Sequence, residues 1–158
     1  MKNTATALQW IVTILEKHQY PYQITGGLAA QIYGATREIA DIDIDIPEAA
    51  ITQLQQEVAP YIIAGPERFQ GELWDLYLMT LNYQGQEIDL SGAYETKIFN
   101  VQSGFWQPLL ANFSTAKLCE VHGLLVPVIE QEDLIRYKTV LNRDVDQIDI
   151  QQMCSKPK

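Results

Sequence analysis

Apolar and polar residues follow two different spacings in the first third of the chain. Apolar residues three and four positions apart form one stripe over residues 4–18, which predicts an amphipathic helix. Residues 41–46 instead alternate aspartate with isoleucine, so every isoleucine lies on one face of a strand and every aspartate on the other. The chain therefore combines helices with strands, and residues 41–46 form its clearest predicted strand.

A short unit of strand, glycine turn and helix lies between these two segments. It comprises a strand over residues 22–25, the turn Gly26-Gly27 and a helix over 28–33 that Gly34 ends. The rest of the chain predicts a helix after Pro47, strands over 61–64, 73–81 and 87–90 with a turn at Gln84-Gly85, a hairpin over 117–125 that crosses Gly123, and helices over 130–142 and 144–154.

The composition is that of one globular domain. The 158 residues are 47% hydrophobic and 20% charged, which is enough for one full core. We expect a single domain over residues 1–158, with closing helices at about 130–154. The formal net charge of -9 repels a polyanion, so a long nucleic acid is a disfavoured partner.

The cysteines and the apolar runs argue against a zinc site, export or membrane insertion. Cys119 and Cys154 lie in no CxxC or Cys/His spacing, so we expect two free thiols. No basic and apolar leader begins the sequence, and no apolar run approaches the roughly 20 residues that cross a bilayer. We therefore expect a cytoplasmic protein without a membrane partner.

The three aspartates on one face of residues 41–46 repel each other unless water, a cation or a basic partner lies against them. Mg²⁺ prefers oxygen ligands, and alternate carboxylates on a rigid strand supply them. Alternate residues lie about 6.6 Å apart, so neighbours can share an ion whereas Asp41 and Asp45 cannot. Asp43 therefore belongs to the binding pair in either case. The alternative is a solvated acidic face at a sheet edge.

The glycine turn strengthens the functional interpretation because it lies between a strand and a helix, and only 13 residues separate Gly27 from Asp41. Gly26 and Gly27 have no side chains to hold a phosphate away from the backbone. The N–H groups that open the following helix are expected to be unpaired, so an anion can bind there. An ordinary tight turn is the alternative.

Other motifs with similar residues do not fit the sequence. An EF-hand calcium loop needs glycine and glutamate where this chain has Ile46 and Thr52. Neither GxGxxG nor GxxxxGK[ST] occurs, so the two common phosphate-binding loops have no support. His18 and His122 are isolated and no GxSxG is present, which leaves a serine-hydrolase triad without a nucleophile.

The remaining pattern resembles the nucleotidyltransferase superfamily, which is built on the palm fold of polymerase β. The family signature is Gly-Gly or Gly-Ser, a helix, and a strand with Asp-x-Asp, matched here by Gly26-Gly27 and Arg37-Glu-Ile-Ala-Asp41-Ile-Asp43. Asp89 matches a third strand acid, and residues 130–149 match the closing helices more loosely. The chain looks similar to the compact lincosamide and aminoglycoside nucleotidyltransferases and to related small bacterial proteins of unassigned substrate.

The resemblance implies an α/β (α+β) fold with a mixed, largely antiparallel sheet and helices packed on it. It implies that Asp41 and Asp43 hold two Mg²⁺ ions and that Asp89 completes a catalytic metal site. The residues agree with a role for Asp89, since Ile88 and Leu90 point to the opposite face of its strand. A solvent-facing residue near a hairpin turn is the alternative.

The resemblance also indicates which residues bind a nucleoside triphosphate (NTP). Gly26 and Gly27 are the candidates to approach its phosphates, and Arg37 and Lys138 are candidates to neutralise their charge. The spacing in the family selects Asp41 as the partner of Asp43. For Arg37 and Lys138, the sequence alone favours a surface salt bridge.

The implied reaction is metal-assisted transfer of a nucleoside monophosphate from an NTP to a hydroxyl, with release of pyrophosphate. Little chain remains for a separate acceptor domain, so a small molecule or the side chain of a protein fits better as acceptor than tRNA. The rival hypothesis is a non-catalytic or regulatory relative, such as a toxin-antitoxin component, that keeps the fold to bind a nucleotide or a partner protein.

Overall fold

The computed structural model describes residues 2–155, and the residues at 1 and 156–158 of the predicted domain lie outside it. The helices are α1 (Thr4–Lys17), α2 (Gly26–Ile32), α3 (Glu48–Leu54), α4 (Gln131–Leu141) and α5 (Asp144–Ser155), with short 3₁₀ turns at Ala59–Tyr61 and Phe113–Thr115. The strands are β1 (Gln23–Thr25), β2 (Asp41–Ile46), β3 (Ile62–Gln70), β4 (Trp74–Tyr83), β5 (Gln86–Gly92), β6 (Thr96–Asn100), β7 (Phe105–Leu109), β8 (Lys117–Val121) and β9 (Leu124–Val128).

These strands form one sheet in the order β7-β6-β4-β5-β2-β1-β9-β8, with β3 also paired to β4. Within the described residues, six of the eight strand pairs are antiparallel, and only β2/β5 and β1/β9 are parallel. The structure therefore confirms the expected mixed, largely antiparallel sheet. It also places β2 and β5, which carry the predicted acids, side by side near its middle.

The alternation in β2 fixes which face of the sheet is buried. Ile42, Ile44 and Ile46 are fully inaccessible to solvent, whereas the three aspartates between them are partly exposed. The isoleucines join one core with Leu8 of α1 and Ile51 of α3, so burial of apolar surface holds the aspartates on the opposite face. No helix within residues 2–155 is long and apolar enough to cross a membrane.

Both predicted hairpins are present, and each turns on a residue pair with positive φ. Gln84-Gly85 joins β4 to β5, and His122-Gly123 joins β8 to β9. Two successive residues with positive φ match the right-handed twist of antiparallel strands, and glycine adopts this conformation without strain. The first hairpin thereby sets β5, and with it Asp89, beside β4.

Most elements begin and end within two residues of the predicted positions, and two of the differences, at β3 and α2, have a clear physical reason. β3 extends over Ile62–Gln70 rather than residues 61–64. The sequence does not reveal the longer strand because two register shifts against β4 and largely exposed side chains remove the alternation that marks a strand. α2 begins at Gly26 rather than at residue 28, so the two glycines form the first turn of the helix. Glycine is unfavourable in helix interiors, so the sequence predicts a separate turn at this position.

Candidate active site

The predicted strand acids meet on the exposed face of the sheet. The parallel pairing of β2 with β5 sets Asp43 directly beside Asp89. One carboxylate oxygen each from Asp41, Asp43 and Asp89 lies within 4.8 Å of the other two. Three negative charges this close destabilise one another unless a cation or protons lie between them, and carboxylate oxygens are the ligands that Mg²⁺ prefers. The donor set therefore fits a hard divalent cation.

The pKa values of this acidic group reflect its burial and mutual repulsion. Burial raises the pKa of Asp43 well above its usual range, and the charges of Asp41, Asp89 and Asp45 raise it further. Burial also raises the pKa of Asp89 to about 7, with a smaller contribution from Asp41. Thr80 donates a hydrogen bond of 2.6 Å to Asp89, which opposes this rise. At neutral pH the group thus retains protons that a cation can displace.

Asp45 lies outside the three-aspartate group that Asp41, Asp43 and Asp89 form. Its Oδ2 accepts a hydrogen bond of 2.9 Å from Nε2 of Gln23, the residue opposite it on β1. Burial raises the pKa of Asp45 to about 6, while this hydrogen bond lowers it and the charge of Glu48 raises it. Asp45 is thus a neighbour of the predicted metal site, held by an amide side chain.

The glycine pair contacts the acids through Gly26. Gly26 has φ +63°, and a Cβ atom there would collide with Oδ2 of Asp43. The left-handed conformation occurs at Gly26 and not at Gly27. A Cβ atom at Gly27 would lie 3.5 Å from Nη2 of Arg37, which is an ordinary contact. The predicted approach of a phosphate to Gly27 remains a prediction.

Tyr137 on α4 connects the glycine pair to the opposite wall of the site. Its hydroxyl accepts a hydrogen bond of 3.0 Å from the N–H of Gly26 and lies 3.0 Å from Oγ1 of Thr25. The N–H of Gly26, the first residue of α2, therefore already has a hydrogen-bond partner. Burial raises the pKa of Tyr137, so its hydroxyl stays protonated at neutral pH.

Arg37 and Lys138 also reach the site, but their partners differ from the expected surface ion pairs. Lys138 is only 2% exposed and contacts two carboxylates of α5, Asp146 and Asp149. Arg37 is about one-third exposed and pairs with the same Asp149. The expectation of a surface salt bridge is therefore wrong for Lys138, which is buried with its counter-charges.

A cleft of about 690 Å³ runs over this face of the sheet and joins the acids to an apolar wall. The wall is formed by alternate residues of β4, namely Leu78, Leu76 and Trp74. Thr80, the next residue on this face of β4, donates its hydrogen bond to Asp89. Ile98 of β6 and Leu109 of β7 extend it. One cleft thus presents carboxylates at one end and apolar side chains at the other.

Sequence reasoning did not identify Gln23, Thr80 or Tyr137 as parts of the site. A signal existed for Thr80, because it shares the alternate face of β4 with the other cleft residues. Tyr137 follows the helical spacing of Leu134 and Leu141 on α4, and no local pattern distinguishes its hydroxyl as functional. Gln23 could be found only from its pairing with Asp45 across two strands.

No protein-family model matches the chain, and no curated protein is similar to it in sequence. Solved structures do match. A Thermotoga maritima protein assigned provisionally as a nucleotidyltransferase has a TM-score of 0.69 and 16% identity, over 99% of this chain and 97% of that one. The lincosamide antibiotic adenylyltransferase LnuA, bound to lincomycin, has a TM-score of 0.65 and 18% identity, over 98% and 99%.

A third similar structure is ANT(2″)-Ia in complex with adenylyl-2″-tobramycin. It has a TM-score of 0.62 and 15% identity, over 98% of this chain and 89% of that one. The three comparisons cover nearly the whole chain and confirm the expected nucleotidyltransferase fold. At these identities, the similarity concerns the fold.

Proposed function

We propose that this chain is a nucleotidyltransferase that transfers a nucleoside monophosphate from an NTP to a hydroxyl of a small molecule and releases pyrophosphate. The observation that carries the proposal is the meeting of Asp41, Asp43 and Asp89 within 4.8 Å on this fold. Mg²⁺ bound there, as two ions, would supply the positive charge that lowers the pKa of the acceptor hydroxyl and offsets charge on the leaving pyrophosphate.

The residues around the acids have the remaining roles, which are to bind the triphosphate and to accept a proton. Arg37 and Lys138 offer positive charge to the triphosphate, and Gly26 and Gly27 let it approach the backbone. Asp89, with a pKa raised by burial to about 7, is our candidate to accept the proton of the attacking hydroxyl. The new bond joins the acceptor oxygen to the α-phosphorus. The bond between the α-phosphorus and the oxygen that bridges to the β-phosphate breaks, and the proton of the hydroxyl is transferred to the base.

The apolar wall of the cleft supports a small organic acceptor. Trp74, Leu76 and Leu78 line the cleft beyond Thr80 and Asp89, so an acceptor can place an apolar body against β4 and a hydroxyl near the acids. LnuA bound to lincomycin and ANT(2″)-Ia with an adenylylated tobramycin each hold a small-molecule antibiotic on the same fold. The net charge of -9 argues against a long nucleic acid as acceptor.

The proposal is tested by incubating the protein with each of the four NTPs, Mg²⁺ and a panel of hydroxyl acceptors that includes lincosamides, aminoglycosides and purified proteins. We expect pyrophosphate release together with an acceptor whose mass has grown by one nucleoside monophosphate. Asp43→Asn is the control that should release none. NTP binding without transfer to any acceptor would favour the non-catalytic alternative, and equally tight NTP binding in a chelator would contradict the metal site.

A further inference from the structure

The carboxylate of Asp149 on α5 holds two cations that line the cleft. Nε and Nη2 of Arg37 donate hydrogen bonds of 3.3 and 2.8 Å to its two oxygens. Nζ of Lys138 donates a third, of 3.1 Å. Burial alone would raise the pKa of Asp149, but these hydrogen bonds and charges outweigh it and lower the pKa. Asp149 is therefore an ionised, fully buried group whose partners fix it in place.

Asp146, one turn earlier on α5, holds a second pair of cations in the same way. Its oxygens accept hydrogen bonds of 2.7 and 3.1 Å from Nε and Nη2 of Arg143, and one of 3.2 Å from Nζ of Lys138. Asp146 and Asp149 are both fully inaccessible to solvent. Lys138 thus joins the two carboxylates, and each carboxylate orients one arginine.

Each arginine keeps donors free on the side that faces away from its carboxylate. Within residues 2–155, Nη1 of Arg37 and Nη1 of Arg143 donate no hydrogen bond, because the carboxylates engage only Nε and Nη2. The side chains of Arg37 and Arg143 remain 32% and 42% exposed. A guanidinium held along one edge can still bind a phosphate with its free edge.

The guanidinium of Arg37 lies beside the glycine pair. Arg37, Lys138 and Arg143 line the same cleft as Asp41 and Asp43. The free nitrogen of Arg37, Nη1, is 3.9 Å from the position of a Cβ atom at Gly27, while Gly26 lies directly against Asp43. The glycine pair therefore lies between the acids and the first of these cations, where a phosphate chain attached to a bound metal would pass.

We propose that Asp146 and Asp149 are positioning residues that hold Arg37, Lys138 and Arg143 as a clamp for the triphosphate, with Arg143 as a third phosphate-binding residue. This inference rests on the proposed function, since it assumes that an NTP occupies the cleft. Three cations and two carboxylates leave one net positive charge, so the acids keep mutually repelling groups together and still attract an anion. Because the side chains are already ordered, less conformational entropy is lost on binding.

The clamp is tested by comparing ligands that share or lack the triphosphate. Asp149→Asn keeps the shape of the side chain but replaces one acceptor oxygen with a donor, which releases Arg37. Calorimetry in Mg²⁺ should show affinities for ATP and for inorganic tripolyphosphate that fall at least about tenfold, while the affinity for AMP changes less than about threefold. Asp144→Asn, at an exposed position on the same helix, should match the wild type for all three ligands.

Further variants separate a positioning role from a structural one. Asp149→Asn combined with Arg37→Ala should lose less ATP affinity than the product of the two single losses, because the acid acts partly through the arginine. Arg143→Gln, at a side chain that is 42% exposed, keeps an amide donor for the buried Asp146, and it should weaken the binding of ATP and tripolyphosphate but not of AMP. If Asp149→Asn does not fold, the ATP affinity of Arg143→Gln tests the clamp instead.

Three results would overturn the inference. They are equal losses for ATP and AMP in Asp149→Asn, unchanged ATP affinity in a folded Asp149→Asn protein, and unchanged ATP affinity in Arg143→Gln. In each of these cases the wild type still binds ATP, so the proposed function stands without the clamp. A wild type that binds neither ATP nor tripolyphosphate in Mg²⁺ would remove the proposed function and the clamp together.

Discussion

Asp43 is the residue at which the separate parts of the site meet. It pairs with Thr25 on β1 and with Asp89 on β5, and its carboxylate lies directly against Gly26 of α2. Burial and the charges of its neighbours raise its pKa well above the usual range. A partly buried carboxylate under this repulsion stabilises the fold least when it is ionised and alone, and most when a cation neutralises it.

This arrangement predicts different effects for the three aspartates of β2. Asp43→Asn and Asp41→Asn should each reduce nucleotide transfer at least about a hundredfold, because several kcal/mol of metal-mediated charge stabilisation are lost. Asp45→Asn should keep most of the activity, since Asp45 contacts Gln23 and lies outside the three-aspartate group. Steady-state pyrophosphate release measures all three.

The same experiment can show that the assignment is wrong. Loss of activity in Asp45→Asn with retention in Asp41→Asn would mean that the metal pair is shifted along the strand by two residues. Full activity in Asp43→Asn would exclude β2 from the chemistry. Thermal unfolding of each variant should be measured alongside, so that a loss of activity is not confused with a loss of fold.

At the scale of elements, the sequence predicts best where one face of an element is buried and the other is not. β2 was predicted at its exact bounds because burial of its isoleucines imposes a strict period of two. The hairpin of β4 and β5 followed from the Gln84-Gly85 turn. β6 and β7 gave only weak signals, because they are short and many of their side chains are exposed.

The acids of the site could be predicted from the sequence, and its resemblance to the family indicated Arg37 and Lys138, whereas Arg143 and the two carboxylates that hold these cations could not be predicted. Asp41 and Asp43 share one strand, and Asp89 follows from its own alternation beside a predicted turn. Arg37 and Asp149 are 112 positions apart, and only the packing of α2 with α4 and α5 brings them together. The spacing of Arg143, Asp146 and Asp149 by three residues places them on one helical face but does not identify their partners.

The geometry of the first turn of α2 predicts that substitutions of its two glycines have different effects. Gly26→Ala forces a side chain into positive φ at a cost of roughly 1–2 kcal/mol and displaces the carboxylate of Asp43, so both stability and metal binding should fall. Gly27→Ala makes only an ordinary contact with Arg37, so the protein should fold as stably as the wild type while ATP binding weakens. Denaturant unfolding and ATP calorimetry measure the two properties.

The more severe variant Gly27→Val tests the same position with a larger side chain, and it should weaken ATP binding strongly. Wild-type ATP affinity in a folded Gly27→Val protein would show that no phosphate approaches this residue. Unchanged stability in Gly26→Ala would contradict the constraint that its φ angle and the neighbouring carboxylate impose.

At the scale of the whole molecule, opposite charges come from different layers of the fold. The acids lie on the central strands β2 and β5, whereas Arg37, Lys138 and Arg143 are gathered by α5 across the cleft. The molecule carries a net charge of -9, so this local excess of cations has to act against a repulsive background. A divalent cation at the acids would complete an environment that can accept a triphosphate.

The raised pKa values predict how stability depends on pH and metal. Burial raises the pKa of Asp89 to about 7 in the fold, whereas an exposed aspartate in an unfolded chain has a pKa of about 3.9. Between these values the native state binds more protons than the unfolded chain, so the metal-free protein should lose stability as pH rises through this window. Mg²⁺ binds the ionised form, so its addition should raise the melting temperature more at pH 8 than at pH 5.

Scanning calorimetry with and without Mg²⁺ at the two pH values tests this prediction, and Asp43→Asn serves as the control that should lose the metal-dependent gain. An equal gain at both pH values would contradict it, because competition with protons would then be absent. A larger gain at pH 5 would reverse the sign and place the metal elsewhere.

The repeated Asp-Ile unit of β2 has a consequence for the register of the strand. Each unit contributes one buried isoleucine and one aspartate on the cleft face, so every unit satisfies the core in the same manner. Sliding β2 along β5 by one unit would keep every remaining isoleucine on the core face and present a different aspartate to Asp89. Burial therefore barely distinguishes between these registers, whereas the contact of Asp43 with Gly26 does. The glycine, rather than the hydrophobic core, selects which aspartate stands beside Asp89.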